Sequence, residues 1–186
     1  MATILPAFEE CPEEALIIGR LIAGYGELEF DMALCVRWMI DDEETAFKVI
    51  YRAPGEVQRI LMADALVRSR LAEGKERTIF EKAIAGMHVC RKIRNQYAHS
   101  NWLVQDGVLT FLDPQKGAEG DSPFMVNRVP FRQLGVAVLQ EQETYFLYVS
   151  ACLDWLNREA QLRAGEISSN PHPLAPREIP SPRFHN

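Results

Sequence analysis

No stretch of this 186-residue sequence stays apolar for the ~20 residues that a membrane-spanning helix needs; the best, Ala15 to Tyr25, is interrupted by Arg20. No membrane contact is expected. Met1 to Glu10 has neither the basic start nor the apolar run of a secretory signal. The four cysteines, Cys11, Cys35, Cys90 and Cys152, stand far apart with no Cys-x-x-Cys pair. They read as buried reduced thiols, which implies a cytoplasmic setting. There is no Gly-x-x-x-x-Gly-Lys phosphate loop, no Gly-x-Ser-x-Gly elbow and no dinucleotide fingerprint, so nucleotide-dependent catalysis has no support. None of the four histidines has Glu three residues earlier, as a di-iron bundle wants. His88 and Cys90, two apart on a helix, point in nearly opposite directions and make a poor zinc pair. The expectation is no metal and no cofactor.

What is present is ordinary globular material: 47% hydrophobic, 25% charged and 9% aromatic residues, in a length that fits one domain. Twenty Lys and Arg against twenty-six Asp and Glu give a net charge of −6, which argues against a protein that coats nucleic acid through phosphate contacts alone. A local basic patch remains open.

Hydrophobic spacing predicts a mainly α fold. Pro12, Glu13 and Glu14 suit a helix start, and no proline interrupts before Ile40. Leu16, Ile17, Leu21, Ile22, Tyr25, Leu28, Met32, Cys35 and Met39 recur at threes and fours, predicting one apolar stripe. Asp41 and Asp42 cap a short helix from Glu43 to Arg52, and Pro54 opens another to about Ala72, stopped by Gly74. A further helix runs from about Lys75 to His99. Trp102 to Leu112 then changes period around Asp106-Gly107, a favoured hairpin turn. A Gly-rich loop from Gly117 to Ser122 and a candidate third strand from Phe124 to Val129 complete an insertion at about 101–130. The last helix is expected from about Phe131 to Arg163, carrying Leu134, Val138, Phe146, Val149, Leu153 and Leu156, with Gly165 as its stop. The expected organisation is a helical domain over 1–165 and a proline-rich tail over 166–186, extended on its own or docked.

Between Glu81 and Asp106 no acidic residue occurs, while Lys82, Arg91, Lys92 and Arg94 supply four positive charges and leave −10 for the rest of the chain. An anionic body repels polyanions and admits one only at such a strip. A solvated helix face is the plain alternative. At about 100° per residue, Ile79, Ala83, Gly86, Cys90, Ile93 and Tyr97 form the core side, and His88, Arg91, Lys92, Asn95 and His99 lie opposite. Arg94 sits about 140° round from His99, on the shoulder between the two faces. Convergence of the two requires an unwound helix end or a second copy across a two-fold axis.

The string Arg94-Asn95-Gln96-Tyr97-Ala98-His99 places an arginine and a polar residue before three variable positions and a histidine, and in this it resembles HEPN (higher eukaryotes and prokaryotes nucleotide-binding) domains. The helical order, with the motif late in an internal helix and another long helix after it, is similar over roughly residues 12–163. The resemblance implies an antiparallel helical bundle with the small β insertion between its last two long helices. It further implies a homodimer with a composite site for metal-independent cleavage of single-stranded RNA, Arg94 and His99 being catalytic and Asn95 supporting. Toxin, phage-defence or RNA-processing roles follow, with a protein antitoxin as a possible partner class. The same resemblance embraces non-catalytic members that act as dimerisation, protein-binding or nucleotide-binding modules.

The residue types suit the chemistry. RNA cleavage without a metal uses the ribose 2′-hydroxyl as nucleophile, so protons must move and phosphate charge must be stabilised. Histidine, with a reference pKa of ~6.5, serves the first task; arginine, planar and always charged, serves the second. Arg91, Lys92 and His88 are candidate RNA contacts on the polar face, and Trp102, like Tyr97, either stacks an exposed base or belongs to the core. Glu27 and Glu29 interrupt the apolar first helix; each either braces Arg94 or Arg91 or faces solvent.

Overall fold

Two prolines open the first helices of the chain, α1 (Pro6–Glu10) and α2 (Pro12–Ile40), each where a missing N–H costs nothing. In this computed structural model, which describes residues 3–114, 118, 125 and 129–185, there follow α3 (Glu43–Arg52), α4 (Glu56–Arg68), α5 (Lys75–His99), β1 (Asn101–Gln105), β2 (Val108–Leu112), β3 (Arg132–Gln133) and α6 (Val136–Ala164). The protein is mainly helical with one small antiparallel sheet in the order β1-β2-β3. Among the described residues no helix is long and apolar enough to cross a membrane.

The bounds of α2, α3 and α5 match the sequence expectation, and their ends have visible causes. Asp42 caps α3 by accepting from the Thr45 N–H at 3.0 Å. Asp106 and Gly107, both at positive φ, close the hairpin in the mirror-image geometry that matches strand twist, setting Gln105 opposite Val108. Gly165, at φ 74°, terminates α6.

Three expectations need correction. The helix expected over Pro54–Ala72 is shorter, because Gly55 at φ 83° is not helical and the chain turns after Arg68. The last helix starts at Val136 instead of Phe131: Arg132 and Gln133 pair with Phe111 and Thr110 as β3, and the Leu134 N–H donates to the Leu109 carbonyl at 2.8 Å. Leu16, placed in the apolar stripe of α2, is 60% exposed, whereas Ile17, Leu21, Tyr25, Leu28, Met32 and Cys35 are buried. The Gly117–Ser122 loop and the candidate strand Phe124–Val129 lie outside the described residues except at Ala118, Met125 and Val129.

Contacts group the chain into two compact units. The first comprises Met1–Ala23, Lys92–Thr144 and Pro182–Asn186. Its sheet buries Leu109, Thr110 and Phe111, and Trp102 packs edge-on to Phe8 of α1 with centroids 5.2 Å apart and against Tyr97 and Phe111 at 5.7 and 5.6 Å. The second comprises Gly24–Arg91 and Tyr145–Ser181. There Gly86 of α5 lets α6 approach so closely that a Cβ at this position would stand 2.4 Å from Val149 Cγ2. In α6, Leu153 and Leu156 are buried, and the Asn157 amide donates to the Asp31 carbonyl of α2 at 3.1 Å. All four cysteines are buried and free.

The tail carries no helix or strand in its described residues, yet it is held. In the second unit Asn170 Nδ2 donates to Glu159 Oε1 at 2.7 Å, and Glu178 forms a 2.8 Å ion pair with Lys82. In the first, Pro182 is buried and the Arg183 guanidinium grips the Glu141 carboxylate with bonds of 3.0 and 2.6 Å.

Candidate functional site

The Arg94–His99 string forms the last turns of α5. The helix ends where the Ser100 hydroxyl donates to the Gln96 carbonyl at 2.5 Å, after which the backbone extends as β1. Ile93 and Tyr97 are buried as the 3.6-residue period predicts, and this anchors the polar positions between them.

Arg94 and Asn95 are both half-buried and meet directly: Arg94 Nη1 donates to Asn95 Oδ1 at 2.8 Å. The asparagine oxygen thus engages the guanidinium of its neighbour. His99 is exposed in the final turn of α5. The first two residues of the motif are therefore brought together, and the third presents its imidazole to solvent at the helix end.

The intervening residues have a structural task. Gln96 Nε2 donates to the Phe184 carbonyl at 3.4 Å, and the Tyr97 hydroxyl donates to Gln142 Oε1 at 2.5 Å. Gln142 Nε2 in turn donates to the Arg183 carbonyl at 2.7 Å. Gln96, Tyr97 and Gln142 are all buried, so the tail backbone at 183 and 184 replaces water for two buried amides. Sequence reasoning missed this network. One signal was available: Gln142 stands four residues after Val138 and four before Phe146, a polar residue in an apolar stripe.

The remaining candidates separate. Lys92 is exposed and shares the first unit with the motif, whereas Arg91 and His88, both half-buried, belong to the second. Burial pushes the Tyr25 phenol up, Glu29 and Glu56 add to it, and the Arg91 charge counteracts. Trp102 is half-buried in the aromatic cluster around Tyr97 and Phe111. Lys82 is neutralised by Glu178 of the tail. Glu27 faces solvent, and Glu29 is buried with its carboxylate on Arg59 Nη1 at 2.9 Å, a partner on α4 that the sequence did not suggest.

Comparison with the models of known protein families, with curated proteins and with solved structures gives no match. The functional reading rests on the residues alone. Among the described residues no three His, Cys, Asp or Glu side chains are grouped as ligands of one metal ion would be. What the motif presents chemically is a positive guanidinium in a fixed orientation and an exposed imidazole able to take or give a proton, on a segment free of carboxylates.

Proposed function

We propose that this chain is a HEPN-like protein that acts on RNA as a metal-independent endoribonuclease, with a site assembled from the Arg94, Asn95 and His99 side chains of two copies. The observation that carries the reading is the Arg94–Asn95 hydrogen bond at 2.8 Å, followed by the exposed His99, within the acid-free segment of an anionic chain. In the proposed reaction one imidazole takes the proton of a ribose 2′-hydroxyl, whose oxygen attacks the adjacent phosphorus. The P–O5′ bond breaks, and a second, protonated imidazole supplies the proton that the leaving oxygen needs. Arg94 offsets the charge that builds on the phosphate oxygens, and Asn95 holds its guanidinium in place. A single chain has one His99; a second copy supplies the other. Lys92 adds a phosphate contact. Toxin or defence biology, with an antitoxin as partner and the cytoplasm as location, is the setting this chemistry fits.

The test is cleavage of a labelled single-stranded RNA panel in the presence of EDTA. The proposal predicts cuts by the parent protein and none by His99→Ala or Arg94→Ala of unchanged melting temperature. Cleavage by both variants at the parent rate, or none by any protein, sinks the enzymatic claim.

A second reading is favoured by the tail: its backbone is hydrogen bonded by Gln96, inside the motif string itself. A motif helix whose buried face holds the protein's own peptide suits a non-catalytic binding or dimerisation module. RNA binding in gel shifts without any cleavage, or a dimer that neither binds nor cuts RNA, selects it.

A further inference from the structure

A cavity of about 550 Å³ opens within the second unit and draws no residue from the motif. Its volume falls in the range of small-molecule sites, roughly 300–1,000 Å³. Its lining is of two kinds. Trp38 and the buried Leu71 supply an apolar wall, and the Arg37 guanidinium lies 4.2 Å from the centroid of the Trp38 ring. Arg70, in the turn after α4, and Lys75, at the start of α5, supply positive charge, and Arg163 of α6 lines the cavity paired with Glu76.

The two acids that also line the cavity are engaged by cations. Glu76 is bound by Arg163, and Glu73, whose side chain is 92% exposed, lies 3.5 Å from Arg77. Arg70 and Lys75 are instead held by uncharged groups. Arg70 Nη1 donates to the Met39 carbonyl at 2.7 Å, and Lys75 Nζ lies 4.8 Å from the centroid of the Trp155 ring. These contacts fix the two cations without neutralising them. The positive end of α5 adds to the same field, Gly74 closing its first turn by accepting from Thr78 N and Oγ1 at 3.1 and 3.0 Å. A Cβ built on Gly74 would meet nothing within 4 Å, so there is open space beside these groups.

We propose that this cavity binds a small organic anion with a flat apolar body, such as an aromatic carboxylate or the phosphate monoester of an aromatic alcohol. Arg70 and Lys75 hold the anionic head, and Trp38 and Leu71 cover the ring. A neutral ring lacks the charge-assisted bonds, and a bare phosphate lacks the stacking surface. The inference is independent of the RNA reading, since it uses none of the same residues.

The experiment is a titration of the full chain followed by the indole N–H resonances of its three tryptophans, with the Trp38 signal assigned from Trp38→Phe. The probes are 1-naphthyl phosphate, 1-naphthoate, 1-naphthol and inorganic phosphate. The expected result is a saturable shift of the Trp38 resonance with the two naphthyl anions, and affinities at least about ten-fold weaker for 1-naphthol and for inorganic phosphate. Lys75→Gln, at an exposed position, and Arg70→Gln each weaken naphthyl phosphate by a similar factor. Equal affinity for 1-naphthol, no saturable shift at Trp38, or undiminished binding by Lys75→Gln overturns the proposal.

Discussion

Tyr97 and Gln142, both buried, are joined by a 2.5 Å hydrogen bond from the phenol hydroxyl to the amide oxygen, and the same Gln142 carries the Arg183 carbonyl on its amide nitrogen. One side chain of α6 thereby ties the motif helix to the tail. Replacing it with an apolar residue of similar size leaves the buried Tyr97 hydroxyl without its partner, a loss of about 1–3 kcal/mol, and frees the carbonyl of the exposed Arg183 to water. Gln142→Leu is therefore expected to lower stability in urea denaturation by roughly 1–3 kcal/mol. The amides of residues 183–185 should also exchange hydrogen faster. Tyr97→Phe added to Gln142→Leu should cost less than the two single losses together, because the orphaned hydroxyl is gone. Unchanged stability and tail protection in Gln142→Leu would show that the network does not hold the tail.

Gly86 makes a prediction of opposite character. Alanine in a helix interior is ordinarily more stable than glycine by about 1 kcal/mol. Here the added methyl would stand 2.4 Å from Val149 Cγ2, on a side chain buried at 0% exposure. Overpacking of this kind costs about 1–3 kcal/mol. Gly86→Ala should destabilise the protein, and Val149→Ala on that background should recover part of the loss, seen as a favourable coupling in a double-mutant cycle. A stabilised Gly86→Ala would mean that α5 and α6 are not in this contact.

Asp31 sets a pH dependence. Burial, followed by the charges of Asp154 and Glu27, pushes its carboxyl from the ordinary range up to about 6. The folded value lies above the unfolded one, so between about pH 4 and pH 6 the folded protein holds a proton that the unfolded chain has released. The favourable contribution is complete at the acid end and is lost as pH rises through that window. At neutral pH the charged carboxylate is left as a net penalty, reduced below the full value of the shift because solvent screens the partly exposed side chain. Asp31→Asn should raise stability at about pH 7.5 and match the parent near pH 4. Denaturation curves across this range check it, and a variant no more stable than the parent at neutral pH would contradict it.

These contacts also mark what could be read from the sequence. The buried face of α5 was legible because Ile79, Ala83, Cys90, Ile93 and Tyr97 repeat at helical spacing and all are buried. The hairpin was legible because Asp106-Gly107 is one of the few pairs that accept positive φ at both positions. The start of α6 was not: Phe131 to Val138 offers apolar residues at a spacing that suits a helix, and only pairing with Thr110 and Phe111 makes Arg132 and Gln133 a strand. The sequence left Glu29 either bracing Arg94 or Arg91 or facing solvent, and nothing in its spacing pointed to Arg59 thirty residues on. The docking of the tail was equally hidden, since amide bonds from Gln96 and Gln142 to backbone carbonyls depend on position and carry no sequence signature. At the motif itself, the residue types were legible and the Arg94–Asn95 contact was not, because neighbours in a helix point about 100° apart and meet only through side-chain reach.

The central claim is that two copies of one cationic helix end form a single RNA-cutting site. The most direct measurement is the specific activity of the protein on a single-stranded RNA in EDTA, followed through a dilution series with the mass of the protein determined at each concentration. The account predicts cleavage products ending in 2′,3′-cyclic phosphate, activity that tracks the dimer fraction and vanishes with the monomer, and no activity in His99→Ala at any concentration. Specific activity that is constant down to pure monomer, or that survives in His99→Ala, would contradict it.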